Sequence, residues 1–480
     1  MVLRLQTEAP VFFAAYFYAV KDYRINMVLE GRDKMKKSMF KDILITGFAM
    51  FAIFFGSGNL IFPPQVGLLS GEHVFWAIGG LAISAILFPM LAVAAVGNVG
   101  YGIQDMMKHV TSWWHYLYMG LGLLVVIFGT IPRCGGVAYE TGFEGIFGSL
   151  PVYARIIFLL LFFGISYYFA MNKSNVIDRI GKYLTPILLI TLLVVILLAI
   201  FRPLGPVQGG TQASGQEAFL SAFLTGYNTG DVGTGIICAG IFIATFQQKG
   251  YTKKEEYRKM MFGIIVIGFL LLFIVYSGLA YLGAQGGNDY PADVDTTYLL
   301  TDLVRRLAGT GGSVVLSLAV IFACLTTAVG MIATTGQWVE DWTKGKVSYK
   351  LASLVITIAI FLVSSTGVSN VLTISGPIFT IIFPMSVVMM ILGLFKKFVP
   401  NDGAWKGAVI VSAVMSLFDA LNVAQSSGLI PIDVSGIMNI IYMIPFAEQG
   451  FAWVVPTIIG FLVGAVTYKV TGKESVPYAI

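Results

Sequence analysis

"IFFGSGNLIFPP", residues 53–64, lies inside an uncharged run from Ile43 to Gly71 that is bounded by Asp42 and Glu72. A run this apolar reads as a helix crossing a hydrocarbon core of ~30 Å at 1.5 Å per residue. Its centre nevertheless carries two glycines, a serine and an asparagine, and two prolines follow. Within lipid every backbone N–H and C=O needs a partner, so a helix is interrupted only where protein or a water-filled cavity supplies one. Gly56, Ser57 and Gly58 weaken helix propagation, and Pro63 and Pro64 remove two amide donors. The expectation is a half-helix over 42–55, unwound backbone over 56–59, and a second half-helix from about Leu60. For this stretch alone a small-residue helix contact is an equal alternative, since GxG is a weaker signal than G-x-x-x-G.

A second interruption tips the balance. "GYNTGDVGTG", residues 226–235, sits in a stretch whose only charge between Glu217 and Lys249 is Asp231. An ionisable group at bilayer depth costs about 2.5–3.5 kcal/mol on insertion scales, so it faces a cavity or a partner. The competing reading ends the span early and puts Asp231 in an external loop. "AFLSAFL" before it and "IICAGIFIATF" after it argue for a continuous span.

The rest of the chain fits a polytopic membrane protein. Of 480 residues 57% are hydrophobic and 11% charged, against about 25% charged in ordinary soluble domains; mean hydropathy is +0.83. About twelve segments are long enough to span, centred near residues 56, 85, 125, 161, 191, 232, 271, 324, 357, 383, 413 and 460. Assigning alternate loops to the cytoplasm places 25 of the 30 Lys and Arg inside, leaving Arg133, Arg155, Arg202, Arg305 and Arg306 on or near the other side. That bias puts both termini in the cytoplasm of a cell inner (plasma) membrane protein. The net charge of +5 therefore implies no nucleic-acid partner. "VFFAAYFYAV", residues 11–20, is too short to span and lacks a cleavage site, so within a cytoplasmic extension over 1–41 the first 34 residues read as dispensable or misassigned, with a restart at Met35, or as an interfacial anchor. Cys134, Cys238 and Cys324 show no C-x-x-C spacing, and His73, His109 and His115 join no ligand or triad motif. No organic cofactor and no enzymatic activity are expected, and the oligomeric state is not legible.

The two interruptions fall in spans 1 and 6. An offset of five spans inverts the second copy relative to the first, and paired interruptions at matching places in inverted halves point to a secondary transporter with its site at the midplane. The expected division is 42–202 and 203–397 for the two halves, with 398–480 holding two further spans and a tail. Exposed N–H groups attract an anion and exposed C=O groups a cation. Ser57, Gly58 and Asn59 can offer N–H groups to a carboxylate; Ala52 and Phe55 can offer carbonyls to a cation, and Asn59 adds a neutral oxygen suited to Na⁺. Tyr227, Asn228 and Asp231 can receive an ammonium. With Phe55 and Gly56 they make the candidate substrate set. In span 8, "FACLTTAVGM" places Thr326 and Thr327 beside the carbonyl of Ala323, either around a shared cation at a helix kink or with both hydroxyls bonded back to their own helix. Arg133 and Glu140, seven residues apart, would share a helix face, as an external gate or as surface charges.

Four stretches resemble one family: "FFGSGNLIFPPQVGLLSGEH", "TIPRCGGVAYETGFEG", "IFACLTTAVG" and "FAEQGFAWVVPT" are similar to the bacterial branched-chain amino acid:cation symporters, the LIVCS or BrnQ family, from about residue 39 to about 470. The resemblance implies an all-α, LeuT-like fold of the APC superfamily, with ten core helices in two inverted fives, broken helices 1 and 6, and two C-terminal helices. It implies uptake of leucine, isoleucine and valine with Na⁺ as the coupling ion. It assigns one Na⁺ to Ala52, Phe55, Ala323, Thr326 and Thr327, and a second, where present, to Asn59. "YNTGD" in span 6 departs from the better-known sodium symporters, leaving Asp231 open to ion, substrate or structure. Rival readings are a proton-coupled carrier, in which Asp231 or Glu140 titrates, and a channel or membrane sensor.

Overall fold

The computed structural model describes residues 35–148, 150–172, 175–472 and 474–479. The apolar stretch at 11–20 and most of the expected 1–41 extension lie outside the described residues. Among the described residues the regular structure is helical throughout. The first span is divided between α1 (Met35–Phe54) and α2 (Ser57–Ser70), and α3 (74–99) follows a turn at Gly71. Then come α4 (Trp114–Phe147), α5 (Val152–Asn172), α6 (Asn175–Phe201), α7 (Gly215–Thr225) and α8 (Asp231–Gln248). The chain ends with α9 (Lys254–Ala284), α10 (Thr296–Trp342), α11 (Tyr349–Ser364), α12 (Val368–Leu394), α13 (Asp402–Ser426) and α14 (Val454–Val470).

Each of the twelve expected centres falls on one of these helices or, for residue 56, in the gap between α1 and α2. By length and apolarity alone, seven described helices qualify as spans, and eight when the bent pair α7–α8 is counted as one. The difference from twelve has several sources. The first span is cut short by its break, spans 1 and 2 run on almost without a gap as Ser57–Val99, Tyr349–Ser364 and Val454–Val470 are apolar but shorter, and of α6 only Leu189–Phe201 enters the count.

Helix starts follow local chemistry. α7 begins where Ser214 Oγ accepts from the Glu217 N–H at 3.2 Å while the Glu217 carboxylate accepts from the Ala213 N–H at 2.9 Å, a reciprocal cap. Asp295 caps α10 by accepting from the N–H groups of Thr297 and Tyr298. Asn401 does the same for α13 through Ala404.

Two packing groups position the site. α1 and α2 lie on α9, and α3 lies on α7 and α8; separately, α10 packs on α4, α5, α6 and α11. The two C-terminal spans join through paired small-xxx-small motifs. A Cβ on Gly407 would sit 1.9 Å from the Gly460 carbonyl oxygen, and one on Gly464 2.1 Å from that of Gly403. Close backbone approach of this kind holds helices together where lipid tails are as apolar as leucine. The perimeter carries Leu160, Ile190, Ile358 and Leu462 as exposed side chains, which is the surface a bilayer covers.

Candidate functional site

The first break is shorter than the glycines suggest. The Phe55 N–H still donates to the Phe51 carbonyl at 2.8 Å. Gly56 then turns extended, with φ −113° and ψ −169°, and caps α2. Ser57, Gly58 and Asn59 are therefore helical, not unwound as expected over 56–59. The reason is that the first turn of a helix needs no internal acceptors, so small residues sit there at little cost. Their N–H groups remain outside the helical ladder, as the sequence required. Pro63 and Pro64 lie in the second turn of α2; they do not end the helix, but they leave the carbonyls of Asn59 and Leu60 without helical donors.

The second break is a 3₁₀ turn, Gly226–Thr229, followed by Gly230 in the left-handed region at φ 74° and ψ 6°. α7 and α8 meet there at 48°. Loss of helix is confined to this point and does not extend over 226–235. Asp231 opens α8 and is 7% exposed, which removes the external-loop alternative. Its carboxylate sits in the first turn of a helix, where the N-terminal partial charge favours an anion.

The two breaks touch. Asn59 Nδ2 donates to Asp231 Oδ2 at 3.1 Å and to the Phe54 carbonyl at 2.6 Å. Arg133, 2% exposed in the middle of α4, donates from Nη1 to the Asn228 carbonyl at 2.8 Å. Its guanidinium lies 5.3 Å from the ring of Phe62 and 5.7 Å from that of Phe379. It also covers Gly58, where an added Cβ would fall 2.8 Å from Nη2. Neighbouring Cys134 donates from Sγ to Ser57 Oγ at 3.5 Å.

A cavity of about 380 Å³ is lined at one end by Gly56, Ser57, Asn59, Gly230, Asp231 and Arg133. Val125, Val126, Ile237 and Met331 give it an aliphatic wall, and it extends to Gln337, Trp338 and Asp341 at the end of α10. A second cavity, of about 1040 Å³, is lined by Phe62, Gln65, Tyr227, Asn228, Asp419 and Glu448. Phe62 and Asn228 both contact the Arg133 guanidinium, so that group stands between the two spaces.

Of the candidate substrate residues, the first cavity gathers Gly56, Ser57, Asn59 and Asp231. Tyr227 and Asn228 face the second, with Tyr227 stacked on Phe383 at 3.8 Å. Phe55 stacks on Phe51 at 5.0 Å, away from either cavity. Of the candidate cation set only Thr327 joins Asn59 in the first cavity; Ala52, Phe55, Ala323 and Thr326 are not among the residues lining it. Thr326 and Thr327 both donate to the Ala323 carbonyl, at 2.9 and 3.0 Å, the back-bonded alternative. α10 is continuous there; its kink is at Gly309, with φ 67°. The shared face of Arg133 and Glu140 is also corrected. A π turn over Ala138–Phe143 shifts the register between them, and Glu140 pairs with Arg155 at 3.3 Å while accepting from Thr297 and the Val368 N–H.

Arg133 is a buried component of the site that the sequence offers only as a gate or surface charge with Glu140, outside the substrate and cation sets. The signal was present: it is the only Asp, Glu, Lys or Arg between Lys108 and Glu140, the same lone charge in an apolar run that singles out Asp231.

With this geometry in view, the comparisons decide the family. Residues 39–471 match the family model described as "Branched-chain amino acid transport protein". The chain belongs to this family. It is 33% identical over 440 residues to the branched-chain amino acid permease BraB of Bacillus subtilis, covering 90% of this chain and 97% of that one. It is 30% identical over 442 residues to the branched-chain amino acid transport system 2 carrier protein of Pseudomonas aeruginosa, with the same coverages. These relatives are permeases and carriers, so the protein is a multi-pass transporter rather than an enzyme. Among solved structures it is similar to MhsT in complex with L-phenylalanine, at TM-score 0.52 and 16% identity over 87% of this chain and 98% of that one. It is also similar to the inward-facing form of Mhp1, at TM-score 0.53 and 12% identity over 89% and 90%. The fold is LeuT-like.

Proposed function

We propose that the protein imports leucine, isoleucine and valine together with Na⁺ by alternating access. The observation that carries this reading is the Asn59–Asp231 hydrogen bond, which joins two helix breaks, 172 positions apart, at the end of one cavity. Free N–H groups, bare carbonyls and a carboxylate within one small space suit a zwitterion and its cation. The aliphatic wall suits a branched side chain. The inverted halves are taken as 42–202 and 203–397. With Lys344, Lys346 and Lys350 just beyond α10, the charge bias turns the cavity's Asp341 end toward the cytoplasm of a plasma-membrane protein with both termini inside. The first cavity is then the release route and the second the entry vestibule. Na⁺ is cargo here, held by carbonyl and hydroxyl oxygens, with Thr327, Asn59 and the carbonyls of Ala52 and Phe55 at the first break as its ligands. If one net charge crosses with the substrate, 100 mV contributes about 2.3 kcal/mol, roughly fifty-fold accumulation.

A proton-coupled mechanism is the second reading, favoured by one feature: the buried Asp231 carboxylate is hydrogen-bonded by a neutral amide. Uptake into proteoliposomes separates the two. Leucine accumulation is expected to require inwardly directed Na⁺ and to vanish when choline replaces it. Undiminished accumulation in choline under a pH gradient would transfer the coupling to the proton.

A further inference from the structure

Three observations about Arg133 are left over once the two breaks are described. Its guanidinium is buried, and Nε has no hydrogen-bond partner. It lines the cavity as the single basic side chain among the described residues there, at the same end as Asp231 and away from Asp341. It also lies against Gly58, the second residue of α2, a helix with no acidic residue in its first turn. Two positive ends, a guanidinium and a helix N-terminus, are thus set side by side, and the guanidinium's one hydrogen-bond acceptor is a peptide carbonyl. Asp231, the carboxylate at this end of the cavity, is bonded to Asn59, while the guanidinium bonds to a carbonyl, so an anion that enters between the two positive ends is favoured.

We propose that Arg133 is the carboxylate anchor for the transported amino acid, with Asp231 receiving the ammonium, so that the substrate lies across the joint between the breaks. The inference rests on the reading of the protein as an amino acid carrier and adds a specificity-determining residue to it. A planar guanidinium presents parallel N–H donors that match the two oxygens of a carboxylate, and it keeps its charge when buried. Nε, which has no hydrogen-bond partner within the protein, gains one. Gly58 is what lets the fork reach the first turn of α2, since any side chain there would occupy the guanidinium's place. The same contact accounts for discrimination: a branched-chain amine or alcohol with no carboxylate leaves a buried cation facing a helix N-terminus.

The test compares leucine with leucinol, in which a hydroxymethyl group replaces the carboxylate, by ligand-induced shifts in the thermal unfolding of the purified full-length protein in Na⁺. Wild type is expected to prefer leucine strongly. In Arg133→Gln the leucine affinity should fall roughly 10- to 150-fold, the range for a hydrogen bond to a charged group, while leucinol affinity changes little and the preference collapses. Arg133→Lys, with the charge but not the fork, should lie between. If Arg133→Gln does not fold, the same ratio is read in Arg133→Lys and in Gly58→Ala, whose methyl group displaces Nη2. An unchanged preference, or equal weakening of both ligands, overturns the assignment. A wild-type protein that binds no branched-chain amino acid overturns the carrier reading itself, whereas wild-type binding with an unmoved preference in every variant removes only Arg133.

Discussion

The two breaks solve one problem in different ways. The first spends two residues outside any helix, uses an ordinary extended backbone at Gly56, and leaves α2 with no acid in its first turn. The second interposes a 3₁₀ turn, needs a left-handed residue at Gly230, bends the chain by 48°, and places Asp231 at the head of α8. Both therefore aim a helix N-terminus at the joint. At α8 the positive end is neutralised by the chain's own carboxylate; at α2 it is not, and Arg133 adds to it. On the proposed reading the difference sets polarity, the α2 side taking an anion and the α8 side a cation, so that one small space orients a zwitterion.

Neutralising the α8 side is expected to have the largest effect. Asp231→Asn preserves shape and a hydrogen-bonding partner for Asn59 but leaves a substrate ammonium unpaired. Losing one partner of a buried charge pair costs about 3–5 kcal/mol, about two to three and a half powers of ten in affinity. Leucine counterflow should be abolished at micromolar substrate. Thermal stability in detergent should hold, because the amide keeps the shape and the bond to Asn59. Retained counterflow, or lost transport accompanied by a lower unfolding temperature, would mean that Asp231 serves structure and not the substrate.

Backbone requirements differ between the breaks as well, and alanine reads the difference directly. In Gly230→Ala a Cβ must enter the left-handed region, which costs about 1–2 kcal/mol, and it would lie 2.5 Å from a ring carbon of Phe379. That ring packs against Arg133, so transport should fall together with stability. Gly56→Ala has φ −113° and its nearest neighbour is 3.9 Å away. It should cost no more than about 1 kcal/mol, the scale of a cap change. Parallel thermal unfolding and uptake of the two variants checks the order; equal damage would show that the first break depends on its glycine as strictly as the second.

The breaks were legible because the rule behind them is severe: polar and helix-weakening residues in a bilayer-length apolar run have few reasons to be there. "GSGN" and "YNTGD" met that rule, and each of the twelve span centres lies on a helix or in the first break. What sequence missed depends on rotation about a helix axis. Seven residues predict one face for Arg133 and Glu140 only if α4 is regular, and the π turn at Ala138–Phe143 has no signature in side-chain type. Tyr227 and Asn228 likewise sit within a few residues of Asp231 yet face a different cavity, because the 3₁₀ turn and the bend at Gly230 re-aim them. Arg133 was readable by the lone-charge criterion; its depth was not, since a flanking proline and a nearby acid fit a surface pair equally well.

The smallest expected effect concerns the ion and sharpens the comparison at its third participant, α10. Thr326 and Thr327 adjoin and bond to the same carbonyl, but only Thr327 lines the cavity between the breaks; Thr326 is 3% exposed. A hydroxyl that donates to its own helix still offers its oxygen to a cation. Thr327→Val keeps the shape and removes that oxygen, and loss of one such ligand, at about 0.5–1.5 kcal/mol, should raise the Na⁺ needed for half-maximal uptake about 2- to 12-fold. Thr326→Ala should raise it less. A sodium titration of leucine uptake at fixed membrane potential distinguishes them. Should Thr326→Ala have the larger effect, the cation lies on the α10 side, away from the joint between the breaks. Unchanged sodium dependence in both variants would take α10 out of the ion site and leave Asn59 and the carbonyls of the first break to hold it alone.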